Sequence, residues 1–223
     1  MWQTRVISNP NYLFYNAIQL ESVDLTGADL SSATSMQGMF YGCSGLKSVN
    51  LHGVDAGKVT NVRYMFYQAS NIEEVDLSDT DLSKVTSFAY SSPSNSYAST
   101  LFMGMNNLKR INFNNFNTES LTTAERMFII NVSSYQNTNH IEEIDVTNWN
   151  TKNVTNFYET FKYCGYNNDI VIKGLETLDV GNVKNFSSVF SGGKNIKDLS
   201  GVESWNMSSA TNIGSIFSGC ESC

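Results

Sequence analysis

The sequence predicts an α/β solenoid, a single right-handed stack of repeats with a parallel sheet on one face and short helices on the other. The first observation is that an aromatic residue closes the same phrase seven times, at intervals of 26, 36, 26, 33, 29 and 27 residues. Such a period is typical of stacked-repeat proteins. The other two observations are apolar–polar alternation at the start of each phrase and helical spacing of apolar residues at its end.

The closing aromatic residues divide the chain into about seven repeats of about 26 residues. They are Phe40, Phe66, Phe102, Phe128, Phe161, Phe190 and Phe217, of which Phe102 ends a stretched copy. Three columns of apolar residues precede them, at seven, twelve and fifteen positions before the Phe, and one repeat has Val59, Val54 and Leu51 there. These columns are expected to point into the core.

The opening of each repeat predicts a short strand with one buried face, because its β-branched residues alternate with polar ones. The strands are expected at Val23-Asp24-Leu25, Val49-Asn50-Leu51, Val75-Asp76-Leu77, Ile111-Asn112-Phe113 and Ile144-Asp145-Val146, and the sixth copy is degenerate at Ile170-Val171-Ile172-Lys173-Gly174.

The end of each repeat predicts a short helix of about two turns. Val59, Val62, Met65 and Phe66 recur at helical spacing, and a threonine such as Thr60 lies six residues before the closing Phe. A hydroxyl group at that position can cap a helix N-terminus.

The pattern also suggests the domain organisation. Residues 1–20 are off the pattern and are expected to form an N-terminal cap or flanking segment, while residues 21–223 form the solenoid. Polar insertions lie near residues 91–100 and 131–139. Insertions in stacked repeats map to loops on one face, often the binding face.

The composition restricts the classes of molecule that the chain is expected to bind. The net charge is −7 and no Lys/Arg cluster is visible, which disfavours nucleic acid and anionic membrane surfaces; a cationic partner stays open. No apolar run is long enough for a membrane-spanning helix. The start lacks an apolar signal-peptide core, so either the chain does not use that export route or it is a piece of a larger protein, which its C-terminus favours.

Cysteine placement favours buried thiols over disulfides. Cys43, Cys164 and Cys220 each lie three residues after a closing Phe, so they share one structural position in different repeats, too far apart to bond. Cys220 and Cys223 could pair, although a frayed end is the favoured interpretation.

The chain resembles the BspA-type leucine-rich repeat family. The resemblance covers roughly residues 20–220 and rests on phrases such as Met39-Phe40-Tyr41-Gly42-Cys43-Ser44-Gly45-Leu46 and Val59-Thr60-Asn61-Val62-Arg63-Tyr64-Met65-Phe66. That family comprises bacterial surface proteins and mycoplasma lipoproteins. The resemblance implies a leucine-rich-repeat-like solenoid and cell-surface adhesion or recognition, and it supplies no catalytic residues.

The exposed face of the strands is the first candidate site. A polar, mildly acidic binding surface is expected at Asp24, Asn50, His52, Glu74, Asp76, Arg110, Asn112, Glu143 and Asp145. The alternative interpretation is a stacked Asp/Asn ladder that helps the strands to pair. Tyr97 and Tyr135, in the two insertions, are further candidates for binding because tyrosine is favoured at recognition surfaces.

Metal binding and catalysis are disfavoured. Asp76, Asp79 and Asp81 cluster, but without the spacing of a calcium loop. His52 is expected beside Ser78, near Asp24 and Asp76, but an open sheet offers no oxyanion hole. No cofactor, metal or catalytic residue is therefore predicted.

The leading functional hypothesis is a non-enzymatic module at the bacterial cell surface. It would bind host or neighbouring-cell protein or glycan through the strand face and the inserted loops. A structural stalk and a phage-particle adhesin are the alternatives.

Overall fold

The computed structural model describes residues 6–89, 100–130 and 140–222, and its main element is one six-stranded parallel sheet. Each strand has three residues, and each pairs with the next strand along the chain, so the spatial order is the chain order. The strands are β1 (Ser22–Asp24), β2 (Ser48–Asn50), β3 (Glu74–Asp76), β4 (Arg110–Asn112), β5 (Glu143–Asp145) and β6 (Val171–Lys173).

The pairing register follows the repeat period. Val23 pairs with Val49, Val49 with Val75, and the same column continues to Ile172. This central residue is buried in every strand and its two neighbours face solvent to varying degrees. The predicted strands are therefore confirmed, with β1 to β5 each beginning and ending one residue earlier than expected, and the degenerate sixth copy supplies β6.

The closing phenylalanines form a continuous column of stacked rings. Consecutive ring centroids are 5.0–6.2 Å apart, and the ring planes differ by 2–15°. The column begins one ring earlier than the sequence predicted, because Phe14 lies 5.3 Å from Phe40. Residues 12–17 thus repeat the turn geometry of the later segments.

The predicted short helices are wrong. Within the described residues the helices are two short 3₁₀ segments, Leu175–Thr177 and Ser200–Ser204. The segments before and after each closing Phe are instead consecutive turns. In residues 36–43, for example, the N–H groups of Met39 and Cys43 donate to the carbonyl oxygens of Met36 and Phe40.

Left-handed backbone explains why these segments are not helices. The residues two before and two after the closing Phe have positive φ in most copies; Gly38 and Gly42 have φ of 59° and 69°, and Tyr64 and Gln68 have 58° and 59°. A hydrogen bond from residue i+3 to residue i with a left-handed third residue is the pattern of a type II turn. In two successive turns of this type, apolar residues recur at intervals similar to those on one face of a helix.

The turns stack through hydrogen bonds between copies, where a copy is one strand with the turns that follow it. The N–H groups of Met36, Gly38, Phe40 and Gly42 donate to carbonyl oxygens 25 residues further along the chain, at 2.8–2.9 Å. The threonines six residues before the closing Phe also join copies rather than capping helices, since Thr60 Oγ1 donates to the Thr34 carbonyl oxygen at 3.4 Å.

In the part of the chain that the structure describes, the ladder of turns has a gap between the second and third copies. Parallel bridges join Ser35 to Asn61 and Ser87 to Thr123, and within the described residues none joins Asn61 to Ser87. The backbone N–H groups of Val62, Tyr64 and Phe66 accordingly have no hydrogen-bond acceptor among the described residues. A cavity of about 360 Å³ lies between the two copies there.

The cysteines occupy the predicted equivalent positions. Cys43 and Cys164 are buried, Cys220 is partly buried, and Cys43 is a free thiol. Burial raises the pKa of the Cys43 thiol above its usual value. Cys223 lies outside the described residues, as do most of the two insertions. Thr100, placed by the sequence at the end of the first insertion, is described and belongs to the core, where its hydroxyl group donates to the Ile129 carbonyl oxygen at 2.5 Å.

Candidate binding surface on the strands

The sequence-predicted strand residues lie together on the solvent side of the sheet. They line a shallow concavity of about 460 Å³ that crosses β2 to β5. The predicted residues on its walls are Asn50, Glu74, Asp76, Arg110, Asn112, Glu143 and Asp145. Asp24 on β1 and His52 after β2 are exposed and lie beyond the concavity's lining.

The central Asp/Asn column has a local structural role. One side-chain oxygen of each residue accepts the N–H group two residues further along, at 2.9–3.0 Å, in Asp24, Asn50, Asp76, Asn112 and Asp145. This bond shapes the turn that leaves each strand. The second carboxylate oxygens of Asp24, Asp76 and Asp145 have no hydrogen-bond partner within the described residues.

A stacked side-chain ladder exists, but three residues beyond the predicted column. The Asn115 amide group donates to Asp79 at 3.1 Å, and the Asn148 amide group donates to Asn115 at 3.2 Å. All three residues have positive φ of 53–56°. Asn and Asp tolerate that conformation better than other residues with side chains, so one residue type serves both the turn and the contact between copies.

The charged flanks of the strands neutralise one another across the sheet. Arg110 pairs with Glu74 and, at 3.8 Å, with Glu142. Lys173 pairs with Glu143 at 2.8 Å. Opposite charges on adjacent strands favour the observed register. Arg110, Glu74 and Glu143 therefore have partners already, and the unpaired charge of the surface lies on the aspartates.

His52 and Ser78 meet as the sequence predicted. His52 Nδ1 is 2.8 Å from Ser78 Oγ, and Ser78 Oγ donates to Asp76 Oδ1 at 2.6 Å. The serine proton therefore points at the aspartate, and the histidine faces the oxygen's lone pair. In a nucleophilic triad the histidine accepts the serine proton, so this order of contacts is the reverse of a catalytic one. Ser78 is also buried.

The candidate metal and loop sites remain without structural support. In the described residues no group of three His, Cys, Asp or Glu side chains could hold a metal ion. Tyr97 and Tyr135 lie outside the described residues. No helix in the described part of the chain has the length and apolar character needed to cross a membrane.

Sequence reasoning did not foresee that the tyrosines stack as a second column. Tyr15 and Tyr67 lie on either side of Tyr41, with ring centroids 5.3 and 5.1 Å away, and Tyr64 packs edge-on against Tyr67. Burial raises the pKa of the Tyr41 hydroxyl group, and the neighbouring tyrosines add to the shift. Tyr15, Tyr41 and Tyr67 are spaced 26 residues apart, and this spacing was the sequence signal for the column.

A buried ion cluster also escaped the sequence analysis. Glu159 has 4% of its surface exposed, Arg126 Nε is 2.7 Å from its Oε2, and Lys162 contacts its other oxygen. Arg126 and Glu159 both occupy the left-handed position two before the closing Phe. No local motif marks such a pair, because the partners are 33 residues apart.

Stacked strand-and-turn copies with one open polar sheet face define the class of protein: a repeat protein whose accessible surface is a ladder of equivalent positions. A family pattern matches residues 1–98 and 131–223 of the chain, and the chain belongs to that family, described as Mycoplasma protein of unknown function, DUF285. A search of curated proteins finds no match.

Proposed function

We propose that this chain is a non-enzymatic adhesion module of a bacterial surface protein. In this proposal it is a right-handed leucine-rich-repeat-like solenoid of about seven repeats that acts outside the cell. It binds a host or neighbouring-cell protein or glycan through the strand surface and the two inserted loops. Membership of a mycoplasma family is consistent with a bacterial surface repeat protein, and the resemblance to BspA-type repeats implies the adhesion.

The observation that carries the proposal is the set of aspartates on the strand surface. Each of Asp24, Asp76 and Asp145 uses one carboxylate oxygen in its own turn and presents a second oxygen without a partner in the described residues. The turns hold these oxygens in place before a ligand arrives, which lowers the entropic cost of binding. Hydrogen-bond donors such as glycan hydroxyl groups or lysine side chains are suitable partners.

The test replaces Asp24, Asp76 and Asp145 together by Asn. Asn already occupies the same column at positions 50 and 112 and makes the same turn bond, so the fold is retained while three charges are removed. Beads coated with purified protein are measured for attachment to cultured animal cells. We expect attachment affinity to fall about tenfold or more, which corresponds to about 1.4 kcal/mol.

A matched control replaces Asp29, Asp55 and Asp179 by Asn. These residues accept the same turn bond and lie outside the strand column, so the charge change is identical. Attachment of this control should equal that of the wild type. Equal attachment by both triple variants would reject the strand surface as the binding site.

The rival function is a structural stalk without a ligand of its own. The charge pairs between strands favour it, because they account for the flanking residues without a partner molecule. Deleting residues 91–99 and 131–139 distinguishes the two functions, with Thr100 kept because it is buried. Made in the full surface protein on the cell, this deletion leaves attachment unchanged if the chain is a stalk, whereas it abolishes attachment if the chain binds through its loops.

A further inference from the structure

The central column of the strand surface alternates hydrogen-bond acceptors with donors. The turn bond occupies one side-chain oxygen of each residue in this column, so an aspartate keeps a free acceptor oxygen and an asparagine keeps its NH₂ group, a donor. Neither of these NH₂ groups has a hydrogen-bond partner within the described residues. From β1 to β5 the free groups are therefore acceptor, donor, acceptor, donor and acceptor, at Asp24, Asn50, Asp76, Asn112 and Asp145.

The sheet sets the repeat distance of this alternation. The strands pair in register, and adjacent strands lie about 4.7–4.9 Å apart, so like groups recur at about 9.4–9.8 Å along the column. Carboxylates separated by that distance are too far apart to coordinate one metal ion together. A ligand that satisfies the column must therefore carry separate groups at a regular spacing.

The concavity that contains most of the column is acidic. Its described lining residues carry four carboxylates and one guanidinium group. The guanidinium group belongs to Arg110, which is already paired with Glu74 and Glu142. The surface therefore favours a ligand that places cations opposite the aspartates and hydrogen-bond acceptors opposite the asparagines.

Among regular peptide conformations, the polyproline II helix has the matching period. It has three residues per turn and a rise of about 3.1 Å, so every third side chain points the same way at about 9.3 Å, and its carbonyl oxygens make no internal hydrogen bonds. Side chains on one face of an extended strand recur at about 6.6–6.8 Å, and two turns of an α-helix span about 10.8 Å. Over the two periods from Asp24 to Asp145, the polyproline II helix departs from the column by about 1 Å or less.

We propose that the strand surface binds a polyproline II segment with a lysine or arginine at every third position, lying across the strands. This inference rests on the proposed function and names the chemistry of its protein partner. The cations of the segment contact Asp24, Asp76 and Asp145, and carbonyl oxygens between them accept hydrogen bonds from Asn50 and Asn112. A segment in this conformation is already ordered before it binds, which limits the entropic cost.

The spacing is tested with two peptides of equal charge. Fluorescence anisotropy measures the binding of a labelled peptide of three Lys-Pro-Pro units to the purified protein at about 0.15 M salt, where charges are screened beyond about 8 Å. The control peptide has the same nine residues with its three lysines consecutive. We expect the control to bind about fivefold more weakly or worse, because two of the three ion pairs are lost. Equal affinity, or no binding of the spaced peptide, overturns the proposal.

Replacing the donors separates the alternation from simple charge attraction. Asn50→Asp combined with Asn112→Asp keeps the turn bond, which Asp76 makes at the equivalent position, and adds two negative charges. Attraction by net charge alone would strengthen the binding of the spaced peptide. We expect about threefold weaker binding or worse, because carboxylates then face carbonyl oxygens that have lost their donors. Stronger binding by this variant overturns the proposal.

A matched control combines Asn206→Asp with Asn212→Asp. Both residues accept the same turn bond, are exposed and lie outside the strand column, so the added charge is identical. This control should bind the spaced peptide with the affinity of the wild type. Weakening equal to that of the strand variant would reject the role of the column.

Cell attachment separates this inference from the function on which it rests. If the Asn variant of Asp24, Asp76 and Asp145 loses attachment while the spaced peptide does not bind the wild type, the adhesion surface stands and the polyproline II partner is rejected. If the spaced peptide binds as expected while that variant attaches normally, the partner chemistry stands and adhesion through this surface is rejected.

Discussion

At the residue scale, the stability of this protein depends on a few repeated side-chain positions and on one buried ion cluster. The closing phenylalanine has the same environment in each interior copy, with a ring above and a ring below. Phe128 is fully buried, 6.2 Å from Phe102 and 5.0 Å from Phe161 between ring centroids. Loss of this ring removes contacts on both sides.

Phe128→Ala is expected to destabilise the protein by about 3–5 kcal/mol, the usual cost of truncating a buried phenylalanine. Phe217→Ala is the control, since Phe217 has one stacking partner among the described residues and is 48% exposed. Urea unfolding measures both, and the Phe217 variant should lose much less. Similar losses in the two variants would contradict the column as the central packing element.

Glu159 is expected to make the free energy of unfolding decrease as the pH falls into the acid range. Burial alone would raise the pKa of its carboxyl group, but hydrogen bonds from Lys162 and Arg126 outweigh burial and hold that pKa below its usual value. Its stabilising contribution is therefore present above the unfolded-state pKa of about 4.3 and is lost as the pH falls through the lower folded-state pKa.

Glu159→Gln should cost about 3 kcal/mol at neutral pH, because it removes the buried carboxylate that Arg126 and Lys162 share. It should also flatten the dependence of the unfolding free energy on pH below about 4. Glu21→Gln is the control, since Glu21 is 77% exposed and 3.8 Å from Lys47. If Glu159→Gln shows the same dependence of unfolding free energy on pH as the wild type, Glu159 is not the source of the acid dependence.

At the scale of elements, the turns rather than helices hold one copy to the next. Most of them do so through N–H groups that donate to the following copy, and among the described residues this ladder has a gap between the second and third copies. The core remains continuous there, because Phe66 and Phe102 are still stacked at 6.0 Å.

Amide hydrogen exchange should reveal this gap. The N–H groups of Val62, Tyr64 and Phe66 have no partner within the described residues, so they should exchange faster than those of Phe40 and Phe128. Phe40 and Phe128 donate to the Met65 and Thr160 carbonyl oxygens at 2.8 and 3.1 Å and serve as the internal control. Equal protection of both sets would show that the ladder is unbroken.

At the scale of the whole molecule, the contacts run from each copy to its neighbours. Each strand pairs only with adjacent strands in the chain order, and the phenylalanine column runs along the same direction. The unfolding free energy of such an arrangement is approximately the sum of the stabilities of the individual copies and of the interfaces between neighbouring copies.

Far-ultraviolet circular dichroism is expected to show little α-helical signal, because the described residues contain only two short 3₁₀ segments among turns and strands. This result separates the observed turns from the helices that apolar spacing alone predicts. A spectrum dominated by α-helix would refute the stacked turns.

The sequence by itself determined the period, the strands, the phenylalanine column and the inward-facing residues. These are properties of alternation and spacing, and they are readable because equivalent residues recur at the same place in each copy. It also brought His52 next to Ser78, since strand register follows directly from the period.

Only the tertiary structure decided between helix and turn, because two successive turns and a short helix place apolar residues at similar spacing. It also showed that the strand aspartates divide their oxygens between a turn and solvent, and that Arg110, Glu74 and Glu143 have partners. The stacking of the turns and the ion pairs of Arg110, Glu74 and Glu143 depend on contacts between copies about 26–36 residues apart. No local pattern encodes them, since each partner becomes a neighbour only when the copies stack.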